Sequence, residues 1–202
     1  MGLQQCAVYP NAVAELAWRD ATLTHRKTGV YGTMFVAAAL ACAPVMKEPL
    51  EIFETALKFV PRGSRFYKIT ADALDIVSKS RSWLEAYGTI HERYEEYGHC
   101  RIFQETGTMI NTLHHAKDVG DGICIQVMQG NDTDSYGATA GSLLGACFGP
   151  GHLEERWLEP FHDTIHVALA NFHEQSLSAL AKRMGKLPSL VEEALKTKKS
   201  EA

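Results

Sequence analysis

Apolar residues recur every three or four positions along most of this 202-residue chain, which is the spacing of one buried face of an α-helix. The repeat is clearest at Val13, Leu16 and Ala17, at Leu50, Phe53, Leu57 and Val60, and at Leu74, Val77, Leu84 and Tyr87. Residues 122–128 fit a strand or a buried helix equally well, and we assign them to a helix. The pattern therefore predicts a chain that is helical almost throughout, with roughly seven to nine helices separated by clusters of Gly, Pro and polar residues.

Composition and charge exclude several classes of protein. With 46% hydrophobic and 22% charged residues and a net charge of −4, the chain is typical of a globular protein and lacks the basic excess that a nucleic-acid partner requires. The longest mostly apolar run, residues 34–46, is shorter than the roughly 20 residues that span a bilayer, and Pro44 interrupts it. The five cysteines form no Cys-x-x-Cys pair, which predicts reduced, mostly buried thiols rather than a zinc finger or a redox motif.

The chain shows no clear division into separate domains. None of the spacers between helices resembles an interdomain linker, so we predict one helical domain over residues 1–185, followed by a terminal helix and charged tail over residues 186–202. The first residues contain neither a basic region nor a long apolar segment. We therefore expect no export signal, no membrane partner and a cytoplasmic location.

The segment from Gln129 to Ala146 carries the most chemistry in the sequence. Asp132, Asp134 and Ser135 stand at a predicted helix start, where carboxylates cap backbone N–H groups and an all-oxygen donor set also suits Mg²⁺, Mn²⁺ or Ca²⁺. An EF-hand loop is excluded, because Leu143 falls where its glutamate ligand is needed. The spacing is compatible both with a metal site and with a doubly capped helix. The Gly and Ala residues that follow predict close approach of another helix.

Three motifs resemble the ADP-ribosylglycohydrolase family. Residues 130–135, Gly-Asn-Asp-Thr-Asp-Ser, are similar to its second metal motif, and a helix of small residues follows. Residues 19–25, which end in Leu-Thr-His, and the alanine-rich residues 29–38 resemble the family's Leu-Thr-His turn and the helix after it. Residues 60–65, Val-Pro-Arg-Gly-Ser-Arg, are similar to the family's Ile-Pro-x-x-Ser-Arg. The resemblance covers most of the chain, from about Ala12 to Met184.

This resemblance implies an all-α, multi-helix orthogonal bundle that holds two Mg²⁺ or Mn²⁺ ions and cleaves the bond between ADP-ribose and a protein side chain or small acceptor. By the resemblance, Asp132, Asp134 and Ser135 are metal ligands, and one of the two aspartates is the base that activates water. His25 and Asn131 are assigned to the substrate, with His25 near its diphosphate and ribose. The implied partners are ADP-ribosylated proteins or small ADP-ribosyl compounds.

The sequence departs from the family in one respect. The family's Thr-Asp-Asp motif, which completes the metal site and precedes the Leu-Thr-His turn, occurs nowhere in these 202 residues. The chain is therefore similar to the C-terminal part of a longer enzyme. We expect an incomplete bundle whose uncovered apolar face binds a missing N-terminal segment or a second copy of the chain. The alternative to a hydrolase is a catalytically incomplete ADP-ribose-binding protein or a structural protein of the same fold.

Overall fold

The computed structural model describes residues 10–98 and 100–190, and this part of the chain is predominantly α-helical. The predicted all-α fold is confirmed. Contacts divide the chain into two compact units, with the division between Leu153 and Glu154. The helices of the first unit are α1 (Pro10–Ala21), α2 (Thr28–Cys42), α3 (Pro49–Leu57), α4 (Arg65–Lys79), α5 (Trp83–Tyr94), α6 (Ile102–His115), α7 (Val119–Met128) and α8 (Thr133–Phe148), and a 3₁₀ turn (Glu95–Tyr97) follows α5.

Polar side chains determine where several of these helices begin. Ser64, Ser82 and Asp118 precede α4, α5 and α7, and each side chain accepts a hydrogen bond from the backbone N–H three residues later. Pro49 is the first residue of α3, where its fixed φ and its missing N–H are compatible with a helix. Each polar cap stabilises its helix by about 0.5–2 kcal/mol, and all of these signals are local in sequence.

Helix α6 lies at the centre of the first unit. Every residue from Gln104 to Leu113 is buried, and α2, α3, α4, α5, α7 and α8 all contact this helix. Nearby, the ring of Phe35 stacks on Phe53 and meets Phe66 edge-on, with centroids 5.7 Å apart in both pairs. Because so many helices surround α6, its polar side chains are carried into the core, where each must find a partner. The buried polar side chains of α6 are those of Gln104, Glu105, Thr106, Thr108, Asn111 and Thr112.

Helices α7 and α8 pack closely on each other. Residues 122–128 lie in α7, so their assignment to a helix is confirmed. The two helices approach most tightly at Gly122 of α7. If this residue carried a Cβ atom, that atom would lie only 2.5 Å from Cδ1 of Leu144 and 3.0 Å from the Cβ of Ala116. The glycines of α8 are less crowded, since a Cβ on Gly141 would stand 3.9 Å from Ile123. The close approach predicted from the small residues of α8 therefore depends mainly on a glycine of its neighbour.

The second unit contains a short hairpin that the helical pattern did not predict. Its elements are two 3₁₀ turns (Glu155–Trp157 and Glu159–Phe161), strands β1 (Thr164–His166) and β2 (Glu174–Ser176), and helix α9 (Leu177–Gly185). The strands pair antiparallel, with Ile165 opposite Gln175. Before β1 the backbone adopts positive φ at His162 (46°) and Asp163 (57°), a conformation that cannot continue a right-handed helix.

Three other expectations concern the chain as a whole. The domain over residues 1–185 with a tail over 186–202 stays a prediction, and residues 191–202 of that tail lie outside the described part of the chain. None of the described helices is both long and apolar enough to cross a bilayer. Among the four cysteines that the structure describes, Cys42 is buried whereas Cys100 and Cys124 are exposed, so the prediction of mostly buried thiols is wrong for those two.

Candidate metal centre

A buried amide fixes the loop that leads into α8. Gln129 follows α7, is 1% exposed, and accepts a 2.7 Å hydrogen bond from Nδ2 of Asn111 in α6. Its Nε2 donates to the Thr108 carbonyl at 3.1 Å and to the Thr112 hydroxyl at 2.8 Å. The next two residues both adopt positive φ, which turns the backbone into α8. The corner at the start of α8, by which we mean residues 130–135, is therefore held in place by α6, the central helix of the unit.

Gln129→Leu is expected to destabilise the fold by about 1–3 kcal/mol, the range for removing a buried hydrogen-bond partner. We expect the lower half of this range, because Thr112 and Asn111 each keep another partner, on Gln126 and Trp83. Urea unfolding followed by circular dichroism measures the change. Met128→Leu is the control, since the neighbouring Met128 is 59% exposed. Equal stability of the two variants would show that the Gln129 amide does not hold the loop.

Asp132 is the N-cap of α8 and is held from two directions. Its Oδ1 accepts a 3.4 Å hydrogen bond from the N–H of Ser135, and its own N–H donates to Oε1 of Glu105 at 3.2 Å. Glu105 lies on α6 and is only 3% exposed, so a buried carboxylate faces the first turn of α8. A cap by Asp132 is thus observed, which is one half of the doubly capped helix that the sequence allowed as an alternative to a metal site. It is compatible with metal binding, because the cap uses one of the two carboxylate oxygens.

Asp134 adds a second aspartate to the first turn of α8, in an exposed position. Hydrogen bonding to the side chain of Asp132, and then to the backbone N–H groups of Asp134 and Ser135, lowers the pKa of the Asp134 carboxyl. An exposed aspartate is ionised at neutral pH in any case, and the lowered pKa extends the ionised range to more acidic pH. The positive end of the α8 dipole offsets part of the repulsion between the two aspartates, and a bound divalent cation would offset more of it.

Two residues that the sequence did not single out complete a cluster at this corner. The ligand atoms of Cys100, Glu105 and Asp132 all lie within 4.8 Å of one another. They come from the segment before α6, from α6 itself and from the N-terminus of α8. Desolvation, followed by the charges of Asp132, Glu105 and Asp134, raises the pKa of the Cys100 thiol. One signal in the sequence could have identified Glu105 beforehand: it is a charged residue within a stretch that forms the buried helix α6.

The oxygen donors at the corner fit the hard cation that the resemblance implies. Mg²⁺ and Mn²⁺ prefer oxygen ligands and keep several waters, so few protein ligands suffice. Asp132, Asp134 and Ser135 offer such oxygens within one helical turn, and Glu105 adds a buried carboxylate. Tyr136, in the same turn, packs against the core, where burial and then the charge of Glu105 raise the pKa of its hydroxyl.

The two residues assigned to the substrate lie on different segments. Asn131 belongs to the corner, and its buried Nδ2 has no hydrogen-bond partner among the described residues. His25 follows α1 and is exposed, with Nδ1 2.8 Å from the Thr24 hydroxyl. Its imidazole covers the first turn of α2, since a Cβ on Gly29 would stand 2.7 Å from Cδ2 of the ring. Asn131 is next to Asp132 in the sequence, whereas no hydrogen bond within residues 10–98 and 100–190 joins His25 to the corner.

The sequence also matches a known protein family. A family model described as ADP-ribosylglycohydrolase matches residues 2–194, nearly the whole chain. No curated protein matches the chain significantly, and no solved structure does. The matched range contains the Leu-Thr-His turn, the turn at residues 60–65 and the acidic corner, which are the motifs that carried the resemblance. The chain therefore belongs to the ADP-ribosylglycohydrolase family.

Proposed function

We propose that this protein acts on ADP-ribosyl groups, as a Mg²⁺- or Mn²⁺-dependent hydrolase of the bond between ADP-ribose and a protein side chain or small acceptor. Family membership supports the hydrolase class. The observation that carries the metal dependence is the acidic corner, where Asp132 caps α8, the exposed Asp134 lies in the same first turn and the buried Glu105 accepts a hydrogen bond from the N–H of Asp132. One carboxylate is enough to cap a helix, so the additional ones support a cation.

Each residue of the corner has a role in this proposal. A bound Mg²⁺ would polarise ribose hydroxyls and lower the pKa of a coordinated water. Asp132, Asp134 and Ser135 would hold the ion through oxygen atoms, and either aspartate could accept the proton that the water releases. The Nδ2 of Asn131, buried and without a partner among the described residues, is assigned as a donor to an oxygen of the substrate.

His25 is assigned to the diphosphate or ribose of the substrate. Its Nδ1 lies beside the Thr24 hydroxyl, so Nε2 is the ring atom that we assign to the ligand. A structural role competes with this assignment. A protonated imidazole near the C-terminal end of α1 would complement the dipole of that helix by about 0.3–1 kcal/mol, although the ring of His25 also lies over the first turn of α2, whose dipole has the opposite sign there.

A second candidate function is binding of ADP-ribose without turnover, or a structural role for the same fold. The observation that favours it is the absence of a Thr-Asp-Asp motif from the 202-residue sequence. The corner argues against a purely structural role, because Asp132 alone suffices to cap α8, whereas the carboxylates of Asp134 and Glu105 also lie at this turn. ADP-ribose binding is expected of both a hydrolase and a binding protein, and turnover separates the two.

ADP-ribose is expected to bind this chain in the presence of Mg²⁺, and His25→Ala is expected to weaken that binding about 10- to 100-fold. Loss of one hydrogen bond to a charged group costs about 1.5–3 kcal/mol, which corresponds to a factor of this size. Isothermal titration calorimetry measures the affinity, and differential scanning calorimetry of the same samples measures Tm.

Thr24→Ala is the matched control for this experiment, because it removes the hydroxyl beside Nδ1 and leaves the imidazole in place. If His25→Ala lowered Tm but left the affinity for ADP-ribose unchanged, His25 would have a structural role at the helix end and would not belong to the substrate site. Failure of the wild-type chain to bind ADP-ribose, with or without Mg²⁺, would contradict the proposed function itself.

A further inference from the structure

We propose that Cys100, Glu105 and Asp132 form a mixed thiolate and carboxylate site for a thiophilic divalent cation, with Zn²⁺ as the ion that fits it best. The site shares Asp132 with the proposed magnesium ligands and adds a sulfur ligand to them. It goes beyond the proposed function, because binding of Zn²⁺ at these three residues does not require that the chain cleave an ADP-ribosyl bond.

The geometry of the three groups is close to that of a zinc site. Each offers one ligand atom, and these atoms lie within 4.8 Å of one another. Around a tetrahedral zinc ion, with bonds of about 2.3 Å to sulfur and about 2.0–2.2 Å to oxygen, neighbouring ligand atoms are about 3.5 Å apart. Cys100 is exposed, so rotation of its side chain can bring the sulfur closer without a change in the backbone.

The two carboxylates are held in place by the fold. Glu105 is buried on the central helix α6, and its Oε1 accepts the hydrogen bond from the backbone N–H of Asp132. Asp132 is held in turn by its position as N-cap of α8. Cys100 stands two residues before the start of α6 at Ile102. The three ligands thus come from segments that the packing of α6 and α8 brings together, which lowers the cost of organising them around an ion.

The sulfur atom determines which class of ion the site selects. Magnesium and manganese prefer oxygen ligands, whereas a thiolate favours zinc and cobalt. Three protein ligands with one position left for water or a substrate oxygen is the arrangement typical of catalytic zinc sites. Cys124 is also exposed but belongs to no such cluster among the described residues, so it offers a matched control within the same chain.

Titration of the chain with Co²⁺, followed by absorption spectroscopy, tests the proposal. A thiolate bound to Co²⁺ produces a sulfur-to-metal charge-transfer band in the near ultraviolet. We expect this band in the wild type and in Cys124→Ser, and its loss in Cys100→Ser. Glu105→Gln is expected to weaken Co²⁺ binding by at least about tenfold, since even a change to an outer-shell partner of a metal has effects of this size.

A second measurement needs no variant. Alkylation with iodoacetamide, followed by peptide mass spectrometry, reports each thiol separately. We expect Zn²⁺ to protect Cys100 and to leave Cys124 as reactive as before, and we expect Mg²⁺ to protect neither.

Three results would overturn the proposal: no cobalt binding or a cobalt complex without the charge-transfer band, a band that survives in Cys100→Ser, or equal labelling of Cys100 with and without Zn²⁺. Mn²⁺ binding to the oxygen ligands is measured in parallel on Cys100→Ser, where we expect it to be retained. Loss of the cobalt band with retained Mn²⁺ binding identifies Cys100 as a ligand, whereas failure of Mn²⁺ to bind even the wild type would count against the proposed function and not against the thiolate site.

Discussion

Release of ADP-ribose by this 202-residue chain alone is expected to be slow or undetectable, even at saturating Mg²⁺. The family's Thr-Asp-Asp motif does not occur in the sequence, so the corner at Asp132 and Asp134 would supply only part of the metal ligands. Positioning of reactants can lower a reaction barrier by about 7–11 kcal/mol. Losing a large part of this contribution would reduce the rate by several orders of magnitude.

The measurement is the release of ADP-ribose from an ADP-ribosylated peptide or small ADP-ribosyl compound, quantified by chromatography in the presence of Mg²⁺ or Mn²⁺. The Asp132→Asn, Asp134→Asn double variant is the control, because it separates activity at the corner from that of a contaminating hydrolase. Rapid metal-dependent release by a monomer of the wild type, lost in the double variant, would contradict the prediction and show that this sequence contains a complete site.

The same double variant is expected to lose Mn²⁺ binding and to remain folded. Asn caps a helix about as well as Asp, so Asp132→Asn keeps an acceptor for the N–H of Ser135 while it removes the charge. Asp134→Asn removes the second charge at an exposed position. Isothermal titration with Mn²⁺ is therefore expected to give binding heat with the wild type and none with the double variant.

Asp118→Ala provides the matched control, since Asp118 caps α7 as Asp132 caps α8. Loss of that cap is expected to cost about 0.5–2 kcal/mol of stability and to leave Mn²⁺ binding unchanged. Equal binding heats in the wild type and the double variant would rule out the metal assignment and leave helix capping as the role of Asp132.

Local signals in the sequence predicted most of the helices correctly, and the exceptions have physical causes. Ser64, Ser82 and Asp118 cap helices through residues three positions away, so their effect can be predicted without knowledge of the fold. The hairpin of the second unit was not predicted, because it depends on positive φ at His162 and Asp163, which neither side chain strongly demands. The close approach of another helix to α8 was predicted from the small residues of α8, but the contribution of Gly122 of α7 was not, because that contact depends on the position of Leu144 in the packed pair.

The sequence by itself determined the helical class and the acidic helix start at Asp132 and Asp134, because these follow from apolar spacing and from residues within one turn of each other. Only the tertiary structure decided that Glu105 bonds to the N–H of Asp132, 27 residues away, and that Cys100 joins them. Such contacts arise where α6 packs against α8, and no local pattern encodes which buried polar groups will meet across two helices. Packing therefore decided which side chains meet in this cluster, whereas the acidic motif at the start of α8 was already apparent in the sequence.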